Sequence, residues 1–394
     1  MLNRVVSGLG IHSRPVTISK YLMTLFAVAL VASACGGDDE TTETTTALTT
    51  LAPVETTATD NSPTGSTSTS PVTTPTNTTL PPSPLNGMGV ADAAAMGRRV
   101  IAVKIDNHWN ARPQSGIEQA DAVYELLVEG GLTRFIALFH HSDSEYLGPI
   151  RSGRPTDPTL VKFLGAPLQI SGAQSWVSSL IAGYGVKLLG DNGNTTFRIG
   201  SRSAPHNLYG STLLMRDVSD QRGYPDEGPP VPMFDFGEPA AGTPGAEEIT
   251  LDWSDRPEVR WEWTGTEYVR FNGTNPHNYR TLPSEPDDTE TTTTTTEPEV
   301  LEHQIAIDTL VVLTATKYWA SSASGAGSAV PALDTVGSGD AYVFYDGVVV
   351  EGSWARDSVD ERFELTLEDG SPIVVPAGRL WISIFPNNQR VTWQ

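Results

Sequence analysis

Two adjacent glycines, Gly130 and Gly131, place the strongest constraint on how this chain folds. They follow Glu129 and separate two apolar runs, Asp121–Val128 and Leu132–Phe139. Because glycine adopts positive φ without steric cost, a Gly-Gly pair between two strand-like runs predicts a β-hairpin. The polar residues on either side of these runs are therefore expected to gather around one hairpin.

Charged and polar residues are dense around this predicted hairpin. A buried strand over Val100–Ile105 precedes an Asp-Asn-His turn, and ligands commonly bind at the carboxyl ends of strands in α/β sheets. Arginine is frequent here for so acidic a chain, and guanidinium groups pair bidentately with phosphate and carboxylate. A later loop, Ala204–Tyr209, is expected to return a His-Asn pair to the same region. The candidate ligand-binding residues are Asp106, Asn107, His108, Arg112, Asp121, Arg134, Arg151, Arg154, Arg202, His206 and Asn207.

An architectural role for the same arginines is the alternative. Glu125 and Glu129 are four residues apart, so a strand would place them on one face. A buried carboxylate needs a cationic partner, and Arg134 is the nearest one across the Gly-Gly turn. The directions of the Arg151 and Arg154 side chains decide between the two hypotheses. Convergence on an open cleft indicates a ligand site, whereas pairing with internal carboxylates indicates a structural role.

Residues 86–222 alternate between strand and helix patterns. Apolar runs and glycine or proline stop signals predict short strands and short helices in addition to the hairpin. This alternation predicts an α/β N-terminal domain with a mixed sheet and helices. The further predicted elements are helices over Thr156–Leu164, Ser175–Ala182 and Thr212–Val218, and strands over Pro167–Ile170 and Lys187–Leu189.

The second half of the chain has a different pattern. Residues 223–250 are rich in Pro, Gly and acids, which predicts a linker, and residues 251–394 follow with the period of two that is typical of strands. This predicts a mostly-β C-terminal domain with turns at Gly347, Gly370 and Gly378. Residues 281–302 contain seven acids, six consecutive threonines and no base, which predicts a disordered insertion.

The first 85 residues have the pattern of an exported, tethered protein. Residues 1–34 combine a basic head, a short apolar run and small residues, which predicts a signal peptide. Small residues before Cys35 resemble a lipobox, which implies a lipidated Cys35 and an anchor on the outer face of the bacterial cytoplasmic membrane. An ordinary secretory signal or an uncleaved anchor is the alternative. Residues 35–85, rich in Thr, Ser and Pro and acidic, predict a disordered tether.

Composition and motifs exclude several function classes. The formal net charge of −22 disfavours nucleic-acid binding, which depends on neutralising phosphates. Cys35 is the only cysteine, so an intrachain disulfide cannot form. The sequence contains no zinc or iron ligand spacing, no serine nucleophile elbow and no phosphate-binding glycine loop. The absence of these motifs leaves open whether the protein is an enzyme.

Three segments resemble one family of bacterial lipoproteins, the YerB-like family. The first segment begins IAVKIDNHWNARPQSG at Ile101, the second is GPIRSGRP from Gly148 and the third is APHNLY from Ala204. The C-terminal half resembles the family in YVRFNG from Tyr268, followed by His277. The resemblance implies an exported protein with an N-terminal and a C-terminal domain of unknown biochemical function.

Three functional hypotheses follow. The first is an envelope lipoprotein that binds an anionic or glycan ligand, or a protein partner, at the Arg/Asp/His cleft. The second is a phosphotransferase or hydrolase of envelope polymers, because the order of acidic and basic residues is similar to the LytR-CpsA-Psr family. That similarity implies a divalent metal at Asp121 and pyrophosphate at Arg112, Arg151 and Arg154. The third is a structural scaffold. No cofactor is expected except the metal of the second hypothesis.

Overall fold

The computed structural model describes residues 80–256, 258–281 and 301–394. The predicted signal peptide, the lipidation of Cys35 and nearly all of the predicted tether lie outside these residues, as does most of the predicted insertion. In the described ranges, no helix is both long enough and apolar enough to cross a bilayer.

Residues 80–222 contain seven strands and three α-helices, with 3₁₀ turns between them. The strands are β1 (Ile101–Asp106), β2 (Ala122–Leu127), β3 (Thr133–Phe139), β4 (Leu168–Gln169), β5 (Leu188–Leu189), β6 (Thr196–Arg198) and β7 (Leu208–Gly210). The helices are α1 (Asp157–Val161), α2 (Ser175–Gly183) and α3 (Thr212–Gln221). The 3₁₀ turns span Ala93–Gly97, Trp109–Ala111, Ile117–Gln119, Glu129–Gly131 and Lys162–Leu164.

The remaining described residues are almost entirely strands and turns. The first of these strands are β8 (Thr243–Pro244), β9 (Glu248–Asp252), β10 (Val259–Trp263), β11 (Tyr268–Asn272), β12 (Asn275–Pro276), β13 (Asn278–Thr281), β14 (Leu301–Gln304) and β15 (Ala306–Ile307). They are followed by β16 (Thr309–Ala315), β17 (Lys317–Ala320), β18 (Val330–Leu333), β19 (Gly337–Tyr345), β20 (Val348–Arg356), β21 (Glu364–Thr366), β22 (Leu380–Pro386) and β23 (Arg390–Trp393).

The predicted Gly-Gly hairpin is present. Strands β2 and β3 pair antiparallel, and Gly130 and Gly131 both have φ of +70° in the turn between them. The amide N–H of Val128 donates to the carbonyl of Leu132 at 2.8 Å and closes the turn. Strand β1 pairs with the other edge of β3, with Asp106 opposite Arg134.

Both halves of the chain contribute to one eleven-stranded sheet, the large sheet. Its order is β21-β20-β19-β16-β22-β2-β3-β1-β4-β5, with β8 paired to β20. The junction is the parallel pairing of β2 with β22, in which Val123 lies opposite Trp381. Strands β1, β4 and β5 are also parallel to one another, so their carboxyl ends lie along the same edge. A mixed sheet followed by a strand-rich C-terminal half confirms the predicted fold class.

The large sheet has a different cover on each face. Apolar residues of α1 and α2, such as Leu160 and Ile181, pack with Ala102 on one face. The other face is covered by α3 and by a smaller sheet of order β12-β11-β10-β9-β23, with β15 paired to β11. Val103, Trp261 and Met215 belong to the apolar core on this side. Alternate residues of each central strand therefore belong to different layers.

Three predicted boundaries differ from the structure. Leu85, assigned to the end of the tether, is fully buried in the core. The ends of the predicted insertion 281–302 are paired, because Thr281 in β13 lies opposite Leu301 in β14. The strand pattern predicted for residues 251–394 is interrupted at Ile373–Val375, where Val375 makes only an isolated bridge. In each case, long-range packing or pairing determines the boundary.

Candidate functional site

Asp106 lies at the carboxyl end of β1, where the loop of residues 149–154 crosses the strand. The amide N–H of Asp106 donates to the Pro149 carbonyl at 2.9 Å. The amide N–H of Arg151 donates to the Lys104 carbonyl at 2.8 Å. These bonds place Arg151 beside Asp106, although the two residues are far apart in sequence.

The Asp106 carboxylate gathers three neighbours. Its Oδ2 lies 2.7 Å from Nδ1 of His206 and 3.2 Å from Nε of Arg151, and its Oδ1 accepts the backbone N–H of His108 at 3.1 Å. We call these four residues the Asp106 cluster. Asp106 is buried, whereas the side chains of Arg151 and His206 keep 22% and 12% of their surface exposed. The cluster therefore combines a buried carboxylate with partners that reach solvent.

His108 adds an aromatic surface to the Asp106 cluster. Its ring stacks on that of His206, with centroids 4.6 Å apart, and contacts Trp109 at 3.7 Å. Its Nδ1 accepts the backbone N–H of Asn110 at 3.2 Å. Burial and the positive charge that His206 can carry lower the pKa of His108, although Asp106 opposes the shift. His108 is therefore expected to be neutral at pH 7.

Arg151 differs from the other predicted arginines in how its guanidinium group is used. The Nε of Arg151 pairs with Asp106 at 3.2 Å without hydrogen-bond geometry. The backbone of Arg151 is fixed by hydrogen bonds to Lys104 and Ser171. Within the described residues, the Nη1 and Nη2 groups of Arg151 make no hydrogen bond, so their donors remain for another acceptor, whereas Nε is buried against Asp106.

The remaining predicted residues of this region hold the loops together. Arg112 donates to the side chain and backbone of Asn107, at 2.9 and 3.0 Å. Burial, with the charge of Arg270, lowers the pKa of Arg112 to about 10. Arg202 donates to the carbonyls of Asn110, at 3.1 Å, and Pro113. Asn207 accepts from Arg198 at 2.9 Å.

Arg154 points away from Arg151 and satisfies a different carboxylate. Its Nε donates to Glu129 at 2.7 Å, and its backbone N–H donates to Asp157 at 2.7 Å. Burial alone would raise the pKa of Glu129, but the hydrogen bond and charge of Arg154 lower it. The two arginines of the GPIRSGRP loop therefore diverge, and only Arg151 belongs to the Asp106 cluster.

Cations outnumber carboxylates around this loop. Lys104 and Asp157 form a fully buried ion pair of 2.6 Å, and burial lowers the pKa of Lys104 to about 8. Burial, with the charge of Arg154, lowers the pKa of Arg134 to about 10. The group comprises four cations and three carboxylates, namely Lys104, Arg134, Arg151, Arg154, Asp106, Glu129 and Asp157. This local excess of positive charge contrasts with the acidic chain.

Asp121 lies outside the group. It lies directly before β2, at the amino end of that strand, whereas Arg154 and Glu129 meet beyond the carboxyl end. The two ends of a six-residue strand are about 20 Å apart. The Asp121 carboxylate accepts the backbone N–H groups of His140 and His141, at 2.5 and 3.0 Å. Predicting one site with Asp121 in it was therefore wrong, because the residue caps a turn at the other end of the strand.

A buried polar network, which the sequence did not predict, joins the two halves of the chain. The Glu125 carboxylate pairs with Arg270 at 2.6 Å, accepts from Thr133 at 2.6 Å and accepts from Trp381 Nε1 at 2.9 Å. Glu125 and Arg270 have no exposed side-chain surface. The prediction that Glu125 pairs with Arg134 was wrong. Glu125 lies opposite Phe135, and the side chain of the adjacent Arg134 points to the other face of the sheet.

The network continues from Arg270 toward β1. The His277 Nδ1 accepts from Arg270, since arginine can only donate, so the proton lies on Nε2 and is donated to Gln114 at 2.9 Å. Gln114 Nε2 in turn donates to the Asp106 carbonyl at 2.9 Å. We call Glu125, Arg270, His277 and Gln114 the Glu125 network. A Glu flanked by apolar residues in β2 was the available sequence signal for it.

Both halves of the chain match one family. Residues 85–225 match the family described as "Protein of unknown function (DUF3048) N-terminal domain", and residues 249–382 match "Protein of unknown function (DUF3048) C-terminal domain". The chain belongs to the DUF3048 family. The two matched ranges contain all four residues of the Asp106 cluster and all four residues of the Glu125 network.

Known proteins similar to this DUF3048 chain support the resemblance. It is 26% identical over 308 residues to "Putative lipoprotein YerB" of Bacillus subtilis (strain 168), covering 77% of this chain and 86% of that protein. It also matches the crystal structure of YerB protein from Bacillus subtilis with a TM-score of 0.63 and 22% identity, covering 79% of this chain and 99% of that one. The predicted YerB-like resemblance is confirmed.

The Asp106 cluster of this DUF3048 protein can act on a ligand in two ways. Its guanidinium donors can bind an anion, and a His held by Asp can also hold or transfer a proton. In the ranges that the structure describes, three or more His, Cys, Asp or Glu side chains do not come together as a metal site. The Asp106 cluster therefore combines guanidinium donors that suit an anion with a histidine placed beside a buried carboxylate.

Proposed function

We propose that this protein is a lipid-anchored cell-envelope protein that binds an anionic ligand at the Asp106 cluster. Similarity to a protein described as a lipoprotein supports the anchor, which the lipobox-like segment assigns to Cys35. If Cys35 carries the lipid, the wild-type protein incorporates a labelled fatty acid and Cys35→Ala does not. A variant that incorporates as much label as the wild type contradicts this part of the proposal.

The unused guanidinium donors of Arg151 carry the binding proposal. An arginine that is fixed by its backbone and its Nε is already ordered, so less side-chain entropy is lost when it binds an anion. The neighbouring Lys104, Arg134 and Arg154 add positive electrostatic potential, and none of them accepts a hydrogen bond from the Arg151 guanidinium group. A phosphate or carboxylate placed on Arg151 would also lie near the His206 ring.

Binding of pyrophosphate, followed by calorimetry, tests the proposal. We expect the wild-type protein to bind it and Arg151→Ala to weaken binding at least tenfold, with the melting temperature nearly unchanged. Arg362→Ala is the matched control, because Arg362 has a similar exposure of 17% and pairs with Asp235 and Glu364 elsewhere. The proposal fails if the wild type does not bind, if Arg362→Ala weakens binding as much, or if Arg151→Ala unfolds the protein.

The Asp106–His206 pair favours a second candidate, a phosphotransferase or hydrolase. A histidine whose Nδ1 faces a buried carboxylate presents Nε2 to a substrate in the arrangement of a general base. Asp121 is not available as the metal ligand of this hypothesis, because its carboxylate caps a turn. Turnover of a polyprenyl pyrophosphate donor that is lost in His206→Gln would favour catalysis over binding alone.

A further inference from the structure

A cavity of about 490 Å³ lies next to the Asp106 cluster, between the hairpin and the smaller sheet. Its volume is within the range of about 300–1,000 Å³ that is typical of small-molecule sites. Twelve described residues line it, including two arginines, three asparagines and two tryptophans but no Asp or Glu. In a chain of net charge −22, a wall without carboxylates favours an anionic occupant.

Trp109 forms one side of this cavity and is the link to the Asp106 cluster. Its side chain is 54% exposed, which is unusual for a tryptophan, and its ring contacts that of His108. The guanidinium group of Arg256 lies 5.8 Å from the Trp109 ring centroid. One large aromatic face is therefore held at the cavity by a cation and remains accessible to solvent.

The cavity also offers unused hydrogen-bonding groups. Arg112 donates through Nε and Nη2 to Asn107, and its Nη1 has no hydrogen-bond partner among the described residues. Arg256 donates through Nε to the Gly130 carbonyl at 2.9 Å, and its Nη groups make no hydrogen bond to the residues that the structure describes. Asn275, which is exposed, adds an amide that both donates and accepts.

A second cavity of about 490 Å³ continues past the hairpin turn. It shares Gly131 and Arg256 with the first, and its wall includes Lys317 and Trp319. Two carboxylates, Glu129 and Asp255, also line this second cavity, so its charges balance and the carboxylate-free wall belongs to the first cavity alone. The Trp319 side chain is 65% exposed. Two adjoining cavities, each with one exposed tryptophan and at least one cation, fit a ligand with repeated units better than a single small molecule.

We propose that these two cavities bind an acidic glycan chain. The C–H faces of its sugar rings would stack on Trp109 and Trp319, and its hydroxyl groups would bond to the asparagine amides. Its carboxylate or phosphate groups would pair with Arg112 and Arg256. The inference deepens the proposed function, because the anionic class of the ligand rests on it, and it adds the sugar ring as the recognised unit.

Three probes, each of six units, distinguish the ligand classes by calorimetry. Hexagalacturonate is an acidic glycan, maltohexaose is a neutral one and hexaglutamate is an acidic peptide. We expect hexagalacturonate to bind at least tenfold more tightly than either of the others. Equal or tighter binding of hexaglutamate would overturn the inference in favour of a peptide ligand, and equal binding of maltohexaose would overturn the acidic class.

Substitution of Trp109 tests the stacking surface. Trp109→Ala should weaken hexagalacturonate binding at least tenfold, whereas Trp109→Phe, which keeps an aromatic face, should retain most of it. Phe197→Ala is the control, because Phe197 is an exposed aromatic residue outside both cavities. The inference fails if hexagalacturonate does not bind, or if Trp109→Ala has no larger effect than Phe197→Ala.

Failure of this inference can be separated from failure of the proposed function. If pyrophosphate binds in an Arg151-dependent way but hexagalacturonate does not bind, the anion site stands and the glycan inference is wrong. If hexagalacturonate binds in a Trp109-dependent way while pyrophosphate does not bind and Arg151→Ala has no effect, the glycan cavity stands and the Asp106 cluster is not the anion site.

Discussion

Glu125 and Arg270 form a fully buried ion pair on the face of the large sheet that the smaller sheet covers. Asp106 and Arg151 form an ion pair at the carboxyl end of β1, and the arginine of that pair reaches solvent. Arg270 is surrounded by acceptors and aromatic rings, with Phe135, Trp261 and Trp381 within 6 Å of its guanidinium carbon. Arg151 has one carboxylate neighbour and free donors.

Under the proposed function, this difference separates architecture from recognition among chemically similar residues. A buried carboxylate without its cation is costly, so Glu125 requires Arg270 for the fold. The ion pair of a partly exposed arginine contributes little to stability, so the proposed function assigns Arg151 to ligand binding rather than to the fold. Residue type alone does not assign these roles, because both regions use Arg, His and a carboxylate.

The largest expected effect is the loss of the Arg270 cation. Arg270→Met should lower the free energy of unfolding by about 3–5 kcal/mol, because Glu125 remains buried without a counter-charge. Urea denaturation of the wild type and the variant measures the difference. The contrast with Arg151→Ala, for which a nearly unchanged melting temperature is expected, is the sharpest test of the comparison between the two regions.

A second variant shows whether the stranded charge causes the loss. Glu125→Gln in the Arg270→Met background removes the buried charge but keeps a polar side chain of similar shape. The double variant should be more stable than Arg270→Met alone. If Arg270→Met loses less than about 1 kcal/mol, or the double variant is less stable still, charge compensation is not the function of this pair.

Local elements were predictable from the sequence, because their signals are local. The Gly130-Gly131 turn depends on the ability of glycine to adopt positive φ, and the structure confirms it. Helix α2 ends at Gly183, close to the predicted Ala182. The position of Asp106 after β1, with His108 beside it, also follows the prediction, since it depends on the end of one well-defined strand.

Long-range pairings were not predictable in the same way. Nothing in the residues of β2 specifies the distant strand β22 as its neighbour, with Ala122 opposite Leu380, because apolar strands pair by complementary burial rather than by a residue code. The partner of Glu125 was misassigned for a related reason. Nearness in sequence favoured Arg134, but alternation along a strand places adjacent positions on opposite faces.

A smaller effect is expected on the pH dependence of stability, through His277 of the Glu125 network. His277 is fully buried beside Arg270, and burial first and that charge second hold its pKa well below 6.5. In the unfolded chain its pKa returns to about 6.5, so below this pH the unfolded state binds a proton that the folded state does not. Stability is therefore retained above pH 6.5 and falls as pH decreases, by up to about 1.4 kcal/mol per pH unit from this residue.

The variant His277→Gln isolates this contribution, because glutamine cannot titrate and its amide can still donate toward Gln114. Its free energy of unfolding, measured in urea between pH 7.5 and 5, should decrease less steeply than that of the wild type. Parallel curves would mean that folded His277 accepts a proton as readily as the unfolded chain does. The Glu125 network would then be open to water, and its contrast with the Asp106 cluster would be lost.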